Sequence, residues 1–164
     1  QPLRGVELRL TDGESGVEVA TGEVGMVEVR GPNVFNGYWQ MPDKTAAELR
    51  ADGFFITGDL GQMSPDGFLS IVGRAKDLII TGGYNVYPKE IEDVLNEVEG
   101  VEESAVFGVP DADFGEAIVA AVVPVAGAEV DTDALAAAVA ERLARFKHPR
   151  RYEMLGALPR NAMG

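Results

Sequence analysis

Hydrophobic and polar residues alternate along the first part of the chain. The alternating apolar positions are Val6, Leu8, Leu10, Val17, Val19, Val27 and Val29. A period of two is typical of strands that are buried on one face. The segments TDGESG and TGEVG between these positions are rich in turn residues. The pattern therefore predicts an antiparallel β meander.

Shorter elements follow this meander. After the loop GPNVFNGYWQMPD, the segment TAAELRAD predicts a short helix. Apolar runs at Phe54–Thr57 and Phe68–Gly73 then predict two strands around the turn SPDG. We expect these strands to form a second β unit.

The hydrophobic period becomes that of helices beyond Arg74. Pro88 suits the first turn of a helix whose apolar face is formed by Ile91, Val94, Leu95 and Val98. Further elements are predicted as strands at residues 104–109, 117–125 and 151–155, and as a helix capped by Asp131. The order predicts an α+β fold in which a β-rich part precedes a small unit with a central sheet flanked by helices.

Composition excludes several classes of function. The 164 residues are 46% hydrophobic, which suffices for a core, and the net charge of −13 argues against nucleic acid and anionic membranes as partners. The chain has no cysteine and a single histidine, His148, so thiolate and multi-histidine metal sites are excluded. Since no apolar run could span a bilayer and QPLRGVELRL is not a signal peptide, we expect a cytoplasmic protein, of which this chain is a piece.

Two polar residues are candidates for nucleotide binding. Asp59, in the segment TGDL, could accept hydrogen bonds from both hydroxyls of a ribose, although a turn aspartate is the simpler alternative. Arg74 offers a planar fork of donors for a ribose oxygen or a phosphate, or it could pair with Asp77 at the surface.

The segment TGGY is a candidate for a close approach to a ligand. Gly82 and Gly83 allow positive φ and leave room beside the backbone, but they equally suit a tight turn between two strands. Tyr84 could line a channel beside them or belong to the core.

Six segments connect the chain to a known family. VRGPNVFNGYW, DGFFITGDLG, IVGRAKDLIITGGYNVYPKEIE, GVPDADFGE, LARFKHP and LPRNAMG occur in the order found in the adenylate-forming superfamily of acyl-CoA synthetases, luciferases and peptide-synthetase adenylation domains. The chain resembles this superfamily over almost its whole length. Within it, GGYNVYPKEIE, PDADFGE, RLARFKHP and LPRNAMG are most similar to malonyl-CoA synthetases, which activate malonate or methylmalonate.

The resemblance implies two half-reactions. A small carboxylic acid attacks the α-phosphate of Mg²⁺-bound ATP, and coenzyme A then displaces AMP from the acyl-adenylate. In such enzymes a large N-terminal domain holds the acid and the nucleotide, and a small C-terminal lid rotates between the steps. By this resemblance residues 1–75 are the β-rich end of the large domain and residues 76–164 are the lid, and the missing N-terminal portion is the main partner.

The resemblance also assigns residues. Asp59 and Arg74 match the residues that contact the ribose of ATP, and Lys76 matches the hinge whose backbone torsions absorb the rotation. Gly82 and Gly83, with Tyr84 beside them, match the wall of the coenzyme A tunnel.

A basic segment near the C-terminus is a weaker candidate. It contains Arg145, Lys147, His148, Arg150 and Arg151. Lys147, Arg150 and Arg151 could hold the phosphates of coenzyme A, but cations also complement the negative end of a helix. By the same reasoning Glu90, Glu92 and Asp93 are interpreted as a solvated helix start rather than as a metal site.

The motif LPRNAMG implies an incomplete site. In the family the next residue is a lysine that contacts the acid and the α-phosphate, and here it would follow Gly164. The phosphate loop and the adenine and acid pockets would lie upstream of Gln1. We therefore expect no catalytic residue within the chain, no metal site, and no activity of this piece alone.

Three interpretations stay open at this level. The chain is part of an acid–CoA ligase for malonate or methylmalonate, or part of a ligase for another acid or a carrier-protein-loading adenylation domain. Alternatively, it is a non-catalytic module that binds nucleotide or coenzyme A weakly, or only docks on the missing domain.

Overall fold

The chain forms two compact units with a boundary between Lys76 and Asp77. The computed structural model describes residues 3–160, and each unit contains one β-sheet. The first unit contains β1 (Glu7–Thr11), β2 (Val24–Arg30), α1 (Pro42–Glu48), β3 (Phe55–Met63) and β4 (Leu69–Arg74). The second contains β5 (Ile79–Thr81), β6 (Tyr84–Val86), α2 (Pro88–Asn96), β7 (Val101–Asp111), β8 (Gly115–Pro124), α3 (Thr132–Arg142) and β9 (Arg151–Met154). The fold class is α+β, as the sequence predicts.

The sheet of the first unit is an antiparallel meander with the order β1-β2-β3-β4. The prediction of two separate β units was wrong, because β3 pairs directly with β2 through Glu28 and Ile56. The segment around Val17 and Val19 is not a strand. It makes an isolated bridge between Thr11 and Glu18, because tight turns on both sides of it leave no room for a longer ladder.

A buried ion cluster connects the strands of the first unit. The side chain of Glu28 in β2 is fully buried and accepts hydrogen bonds from Arg9 at 2.9 Å, from Arg50 at 2.7 Å and from the hydroxyl of Thr11 at 2.8 Å. Burial by itself raises the pKa of the Glu28 carboxyl, but the bonds from Arg50, Thr11 and Arg9 outweigh burial and leave the pKa below its ordinary value. The cluster joins β1 and β2 to the segment that precedes β3.

The second unit is a mixed sheet with two helices. Its order is β6-β5-β8-β7, all antiparallel, and β9 pairs in parallel with β8. Since β7 occupies one edge of β8 throughout, β5 and β9 share the other edge. The pairing of β5 is limited to Gly115, and β9 pairs with residues 119–122.

The core of the second unit confirms the helical pattern. Ile91 and Leu95 of α2 and Leu135 and Val139 of α3 are fully buried against the sheet. The carboxylate of Asp131 caps α3 and accepts the N–H of Asp133 at 3.0 Å, as predicted. Within residues 3–160 no helix is long and apolar enough to cross a membrane.

We predict that Glu28→Ala destabilises the first unit by about 1–3 kcal/mol, because the partly exposed Arg9 and Arg50 and the buried hydroxyl of Thr11 would lose their acceptor. Urea unfolding monitored by hydrogen exchange of the β1 and β2 peptides measures this change. The control is Glu7→Ala, since the ion pair of Glu7 with Arg30 is exposed and its loss should have little effect.

The same carboxyl predicts a pH dependence. Because the folded pKa of Glu28 is depressed, its contribution to stability is complete above the unfolded pKa of about 4.3 and is lost as the pH falls through the folded pKa. Glu28→Gln should therefore remove part of the acid destabilisation that we expect below about pH 4.3. An unchanged acid profile would contradict the assignment.

Candidate functional site

The two candidate ribose ligands lie side by side in the first unit. Asp59 of β3 is directly opposite Arg74 of β4, and Arg74 Nε lies 2.8 Å from Asp59 Oδ1. The N–H of Asp59 donates to the hydroxyl of Thr57 at 3.0 Å, and that hydroxyl donates to the carbonyl of Val27 at 2.9 Å. The backbone that carries the carboxylate is therefore fixed to β2.

The position of Asp59 differs from the expectation in one respect. Asp59 was predicted to follow a strand, but β3 continues through it to Met63, because β2 and β4 both pair with this stretch. The side chains of Asp59 and Arg74 remain 32% and 59% exposed. An ion pair at such a site contributes about 0–1 kcal/mol, so a ligand hydroxyl can exchange into it at little cost.

Lys76 lies in a short 3₁₀ turn that spans Ala75–Asp77. The boundary between the two units follows Lys76 directly. The hinge role that the resemblance implies for Lys76 stays a prediction.

The second unit contains a cavity of about 650 Å³. Its lining includes Gly82, Tyr84, Phe114, Phe146 and Arg150. Tyr84 and Phe146 are stacked, with ring centroids 4.6 Å apart and an interplanar angle of 22°, and the guanidinium of Arg150 lies 4.1 Å from the centroid of the Phe114 ring. The site thus combines aromatic faces with a cation.

Sequence reasoning did not single out Phe114 or Phe146, although both lie in segments that carry the family resemblance. Their signal was an aromatic residue in an otherwise polar segment, PDADFGE in one case and RLARFKHP in the other. Tyr84 was an open case between channel and core, and the structure leaves it 57% exposed at the cavity.

The turn Gly82–Gly83 joins β5 to β6, with φ values of +56° and +80°. The N–H of Gly82 donates to the carbonyl of Phe114 at 2.8 Å, and a Cβ at Gly82 would lie 3.3 Å from the Phe114 ring. A Cβ at Gly83 would meet no described atom within 4 Å. Glycine at residue 82 therefore permits both the turn and the contact with Phe114, whereas the space beside Gly83 is open.

Only part of the basic segment lines the cavity, namely Arg145, His148 and Arg150. Lys147 binds Glu90 at 2.6 Å, Arg150 lies 3.3 Å from Asp111, and Arg151 lies 2.8 Å from Glu153. These cations lie beyond the end of α3 at Arg142 and are paired with separate carboxylates. Of the three phosphate candidates, Arg150 lines the cavity and Lys147 and Arg151 do not.

The acidic start of α2 also differs from the solvated surface that was expected. Glu92 is partly buried and accepts the N–H of Val106 in β7 at 2.8 Å, and burial raises its pKa despite this bond. Asp93 binds Lys89 at 2.7 Å. Over the described part of the chain, no group of three or more acidic or histidine side chains is arranged to hold a metal ion.

Only the first part of the C-terminal motif lies within the described residues. Asn161–Gly164 of LPRNAMG lie outside the described residues, as does the position after Gly164 where the family lysine is expected.

Comparison with known proteins identifies the family. Residues 90–164 match the AMP-binding enzyme C-terminal domain. Over 99% of its length the chain is similar to the ATP-bound crystal structure of the malonyl-CoA synthetase MatB from Rhodopseudomonas palustris, with 54% identity and a TM-score of 0.92, and it covers 32% of that protein. The amide bond synthetase McbA from Marinactinospora thermotolerans is 42% identical over 100% of the chain, with a TM-score of 0.94 and 33% of its own length covered.

A further relative activates a different acid. The long-chain-fatty-acid–CoA ligase of Bacillus subtilis is 48% identical over 92% of this chain, which covers 27% of the ligase. The chain thus spans about a third of the length of the relatives it matches. Residues 90–164 belong to the AMP-binding enzyme C-terminal domain family, and the whole chain is similar to the matching third of adenylate-forming enzymes.

Proposed function

We propose that the chain is part of an ATP-dependent acid–CoA ligase. Residues 1–75 would end the adenylation domain and residues 76–164 would form its mobile lid. In the first half-reaction a carboxylate oxygen attacks the α-phosphorus of ATP and pyrophosphate leaves. In the second, the thiol of coenzyme A attacks the acyl-adenylate carbonyl, a thioester forms and AMP leaves. The coverage of about a third of each relative supports a longer parent protein.

The observation that carries this proposal is the pair Asp59–Arg74. A ribose presents two neighbouring hydroxyls, and a carboxylate can accept a hydrogen bond from each of them. Arg74, 2.8 Å from the same carboxylate, supplies donors for a ribose oxygen. The paired strands β3 and β4 hold the two side chains next to each other, which supports their contact with one ribose.

Coenzyme A fits the cavity of the second unit by its chemistry. The volume of the cavity, about 650 Å³, lies in the range of small-molecule sites. The aromatic rings of Tyr84, Phe114 and Phe146 can stack against an adenine, and Arg150 can bind a phosphate. Since Gly82 borders the same cavity, the nucleotide part of coenzyme A would bind beside the turn that is proposed to line its tunnel.

Mg²⁺ would enter this reaction with ATP. Among the described residues no group is arranged as a metal site. The proposed contacts of this chain with the nucleotide are those of Asp59 and Arg74 with its ribose. The metal, where bound, neutralises charge on the phosphates.

Malonate or methylmalonate is the proposed acid. The support is the 54% identity with MatB over 99% of the chain. The group that accepts the acyl moiety is tested separately, because McbA, at 42% identity, is an amide bond synthetase and thus points to an amine as the alternative to coenzyme A. A ligase for another acid and a carrier-protein-loading domain are the other candidates.

The experiment uses the intact protein that contains this chain. Pyrophosphate release is measured with ATP and a panel of malonate, methylmalonate, acetate, a long-chain fatty acid and ferulate, and products are identified by mass spectrometry with coenzyme A or with an amine. Release that depends on malonate, followed by malonyl-CoA, is the expected result. No release with any acid would refute the ligase. Release with a different acid would refute malonate, and an amide product in place of the thioester would refute coenzyme A as acceptor.

We predict that Asp59→Ala raises the KM for ATP about tenfold or more, because charge-assisted hydrogen bonds to the ribose are lost. Steady-state pyrophosphate release measures the effect. Asp66→Ala is the matched control, since Asp66 is an exposed carboxylate at the β3–β4 turn of the same sheet. Unchanged ATP kinetics in Asp59→Ala would refute the ribose role.

We predict that Lys76→Pro abolishes one half-reaction and partly spares the other, because proline fixes φ at the proposed hinge. Single-turnover adenylate formation and thioester formation are measured separately. Lys76→Ala is the control, since it retains the backbone freedom and should affect both steps mildly. Equal loss of both half-reactions in folded Lys76→Pro would argue against a hinge.

We predict that Gly83→Leu slows thioester formation at least about tenfold while adenylate formation is retained, because the side chain would enter the proposed tunnel. Gly127→Leu is the control. Gly127 has φ of +81° against +80° for Gly83, and a Cβ at either position meets no described atom within 4 Å. The backbone strain of the two variants is therefore matched, and equal effects on thioester formation would remove Gly83 from the tunnel wall.

A further inference from the structure

The β5–β6 hairpin, which carries the Gly82–Gly83 turn, is attached to the sheet by few backbone bonds. Thr81 and Gly115 are the one residue pair through which β5 joins β8 in the described structure. Beside this pair, the N–H of Gly82 donates to the carbonyl of Phe114 at 2.8 Å. Because β6 is the outer strand, it gives the hairpin no second attachment to the sheet.

The backbone of Ile80 faces β8 just beyond this single pair. In a two-residue hairpin the residues that flank the turn, here Thr81 and Tyr84, form the hydrogen-bonded pair, so the groups of the preceding residue point to the opposite edge. Consistently, the Ile80 carbonyl lies 3.6 Å from the position that a Cβ of Gly115 would take. Since the described ladder between β5 and β8 contains the pair Thr81–Gly115 and no pair of Ile80 with Glu116, the N–H of Ile80 requires a partner other than the β8 backbone.

A side chain supplies that partner. Oε2 of Glu116 accepts the N–H of Ile80 at 2.6 Å. A bond from an amide to a carboxylate is charge-assisted and stronger than an ordinary ladder bond. The Glu116 carboxylate thus extends the pairing between β5 and β8 by one bond.

Gly108 of β7 leaves the room that this carboxylate occupies. A Cβ at Gly108 would lie 2.5 Å from Oε1 and 2.9 Å from Cδ of Glu116, and 3.2 Å from Cγ2 of Ile79. Any larger residue at position 108 would have to displace the carboxylate, and Ile79, with 1% exposure, cannot move aside freely. Three strands therefore determine the position of one side chain.

We infer that Glu116, held in the space beside Gly108, is a positioning residue that fixes the β5–β6 hairpin and so sets where the Gly82–Gly83 turn meets the acyl acceptor. The effect on catalysis rests on the proposed function, whereas the attachment of the hairpin does not. Glu116 acts through the backbone of Ile80 and does not itself enter the reaction.

Hydrogen exchange of the intact protein tests the attachment. In Glu116→Ala, amides of the peptide that covers residues 79–84 should exchange at least about tenfold faster, because the bond to Ile80 is lost. Glu116→Gln retains an acceptor oxygen without the charge and should give an intermediate rate. Gly108→Ala should reproduce Glu116→Ala, since it displaces the same carboxylate from the other side.

Two comparisons make the exchange result specific. Peptides from the centre of β7 and β8, where Phe107 pairs with Val119, should keep their protection in every variant that folds. Glu102→Ala, which removes an exposed carboxylate from β7, should change nothing in the hairpin. Unaltered hairpin exchange in Glu116→Ala would overturn the inference.

Kinetics of the intact ligase test the positioning role. Glu116→Ala and Gly108→Ala should each raise the KM for coenzyme A or slow thioester formation about tenfold, while pyrophosphate release stays within about twofold of the unmodified enzyme. The double variant should be no worse than either single variant, because both act on one contact. Faster hairpin exchange without any change in thioester formation would overturn the positioning role.

The two proposals fail in different ways. Absence of acid-dependent pyrophosphate release from the unmodified protein refutes the proposed ligase and leaves the exchange measurement to decide whether Glu116 holds the hairpin. Normal pyrophosphate release together with unaffected coenzyme A kinetics in Glu116→Ala refutes the role of Glu116 alone.

Discussion

Burial of β8 on both faces is the constraint on which the second unit depends. Every residue of the run Ala117–Val123 is at most 8% exposed, so β8 cannot be an edge strand and must have neighbours on both sides. Strand β7 covers one side completely, and the short strands β5 and β9 divide the other. The cavity is lined by residues from the end of β5, the start of β8 and the segment before β9. It is thus a consequence of two strands sharing one edge.

This division of one edge also explains why side chains support the site. Where β5 lacks backbone partners in β8, the carboxylate of Glu116 accepts a hydrogen bond from the N–H of Ile80. The bond from Lys147 to Glu90 fixes the turn that carries Phe146 against the start of α2. Carboxylates that a sequence shows only as surface charge therefore hold the walls of the cavity. Arg150 of the basic segment also supports the cavity wall, since it lies over the Phe114 ring and beside Asp111.

The sequence predicted those elements whose pattern depends on local burial. Helix α2, the cap at Asp131 and the long apolar strand β8 follow from period, capping and propensity. Strand pairing was less predictable because it depends on partners far along the chain. Val17 and Val19 alternate as a strand would, yet turns on both sides prevent a ladder, and β3 extends through Asp59 because β2 and β4 both pair with it.

The candidate site was predictable to a different extent. The resemblance named Asp59 and Arg74, but their contact follows from the register of β3 and β4, which no periodicity encodes. Phe114 and Phe146 were missed because each lies in a polar segment, and their common cavity exists only after β8 brings both segments together. Conversely, the three phosphate candidates of the basic segment do not form one cluster, since Lys147, Arg150 and Arg151 each pair with a different carboxylate.

The proposed ligase requires that nucleotide and acceptor sites be built independently. The Asp59–Arg74 pair lies wholly within the first unit and the cavity lies wholly within the second. Under the proposed hinge role, a change of backbone torsions at Lys76 would alter which site faces the reacting acyl group without altering the geometry within either unit. Such a rotation requires the Gly82–Gly83 turn to move together with the sheet of the second unit. Because one residue pair joins the β5–β6 hairpin to β8, the bond from Ile80 to Glu116 is the further contact that couples the turn to the sheet.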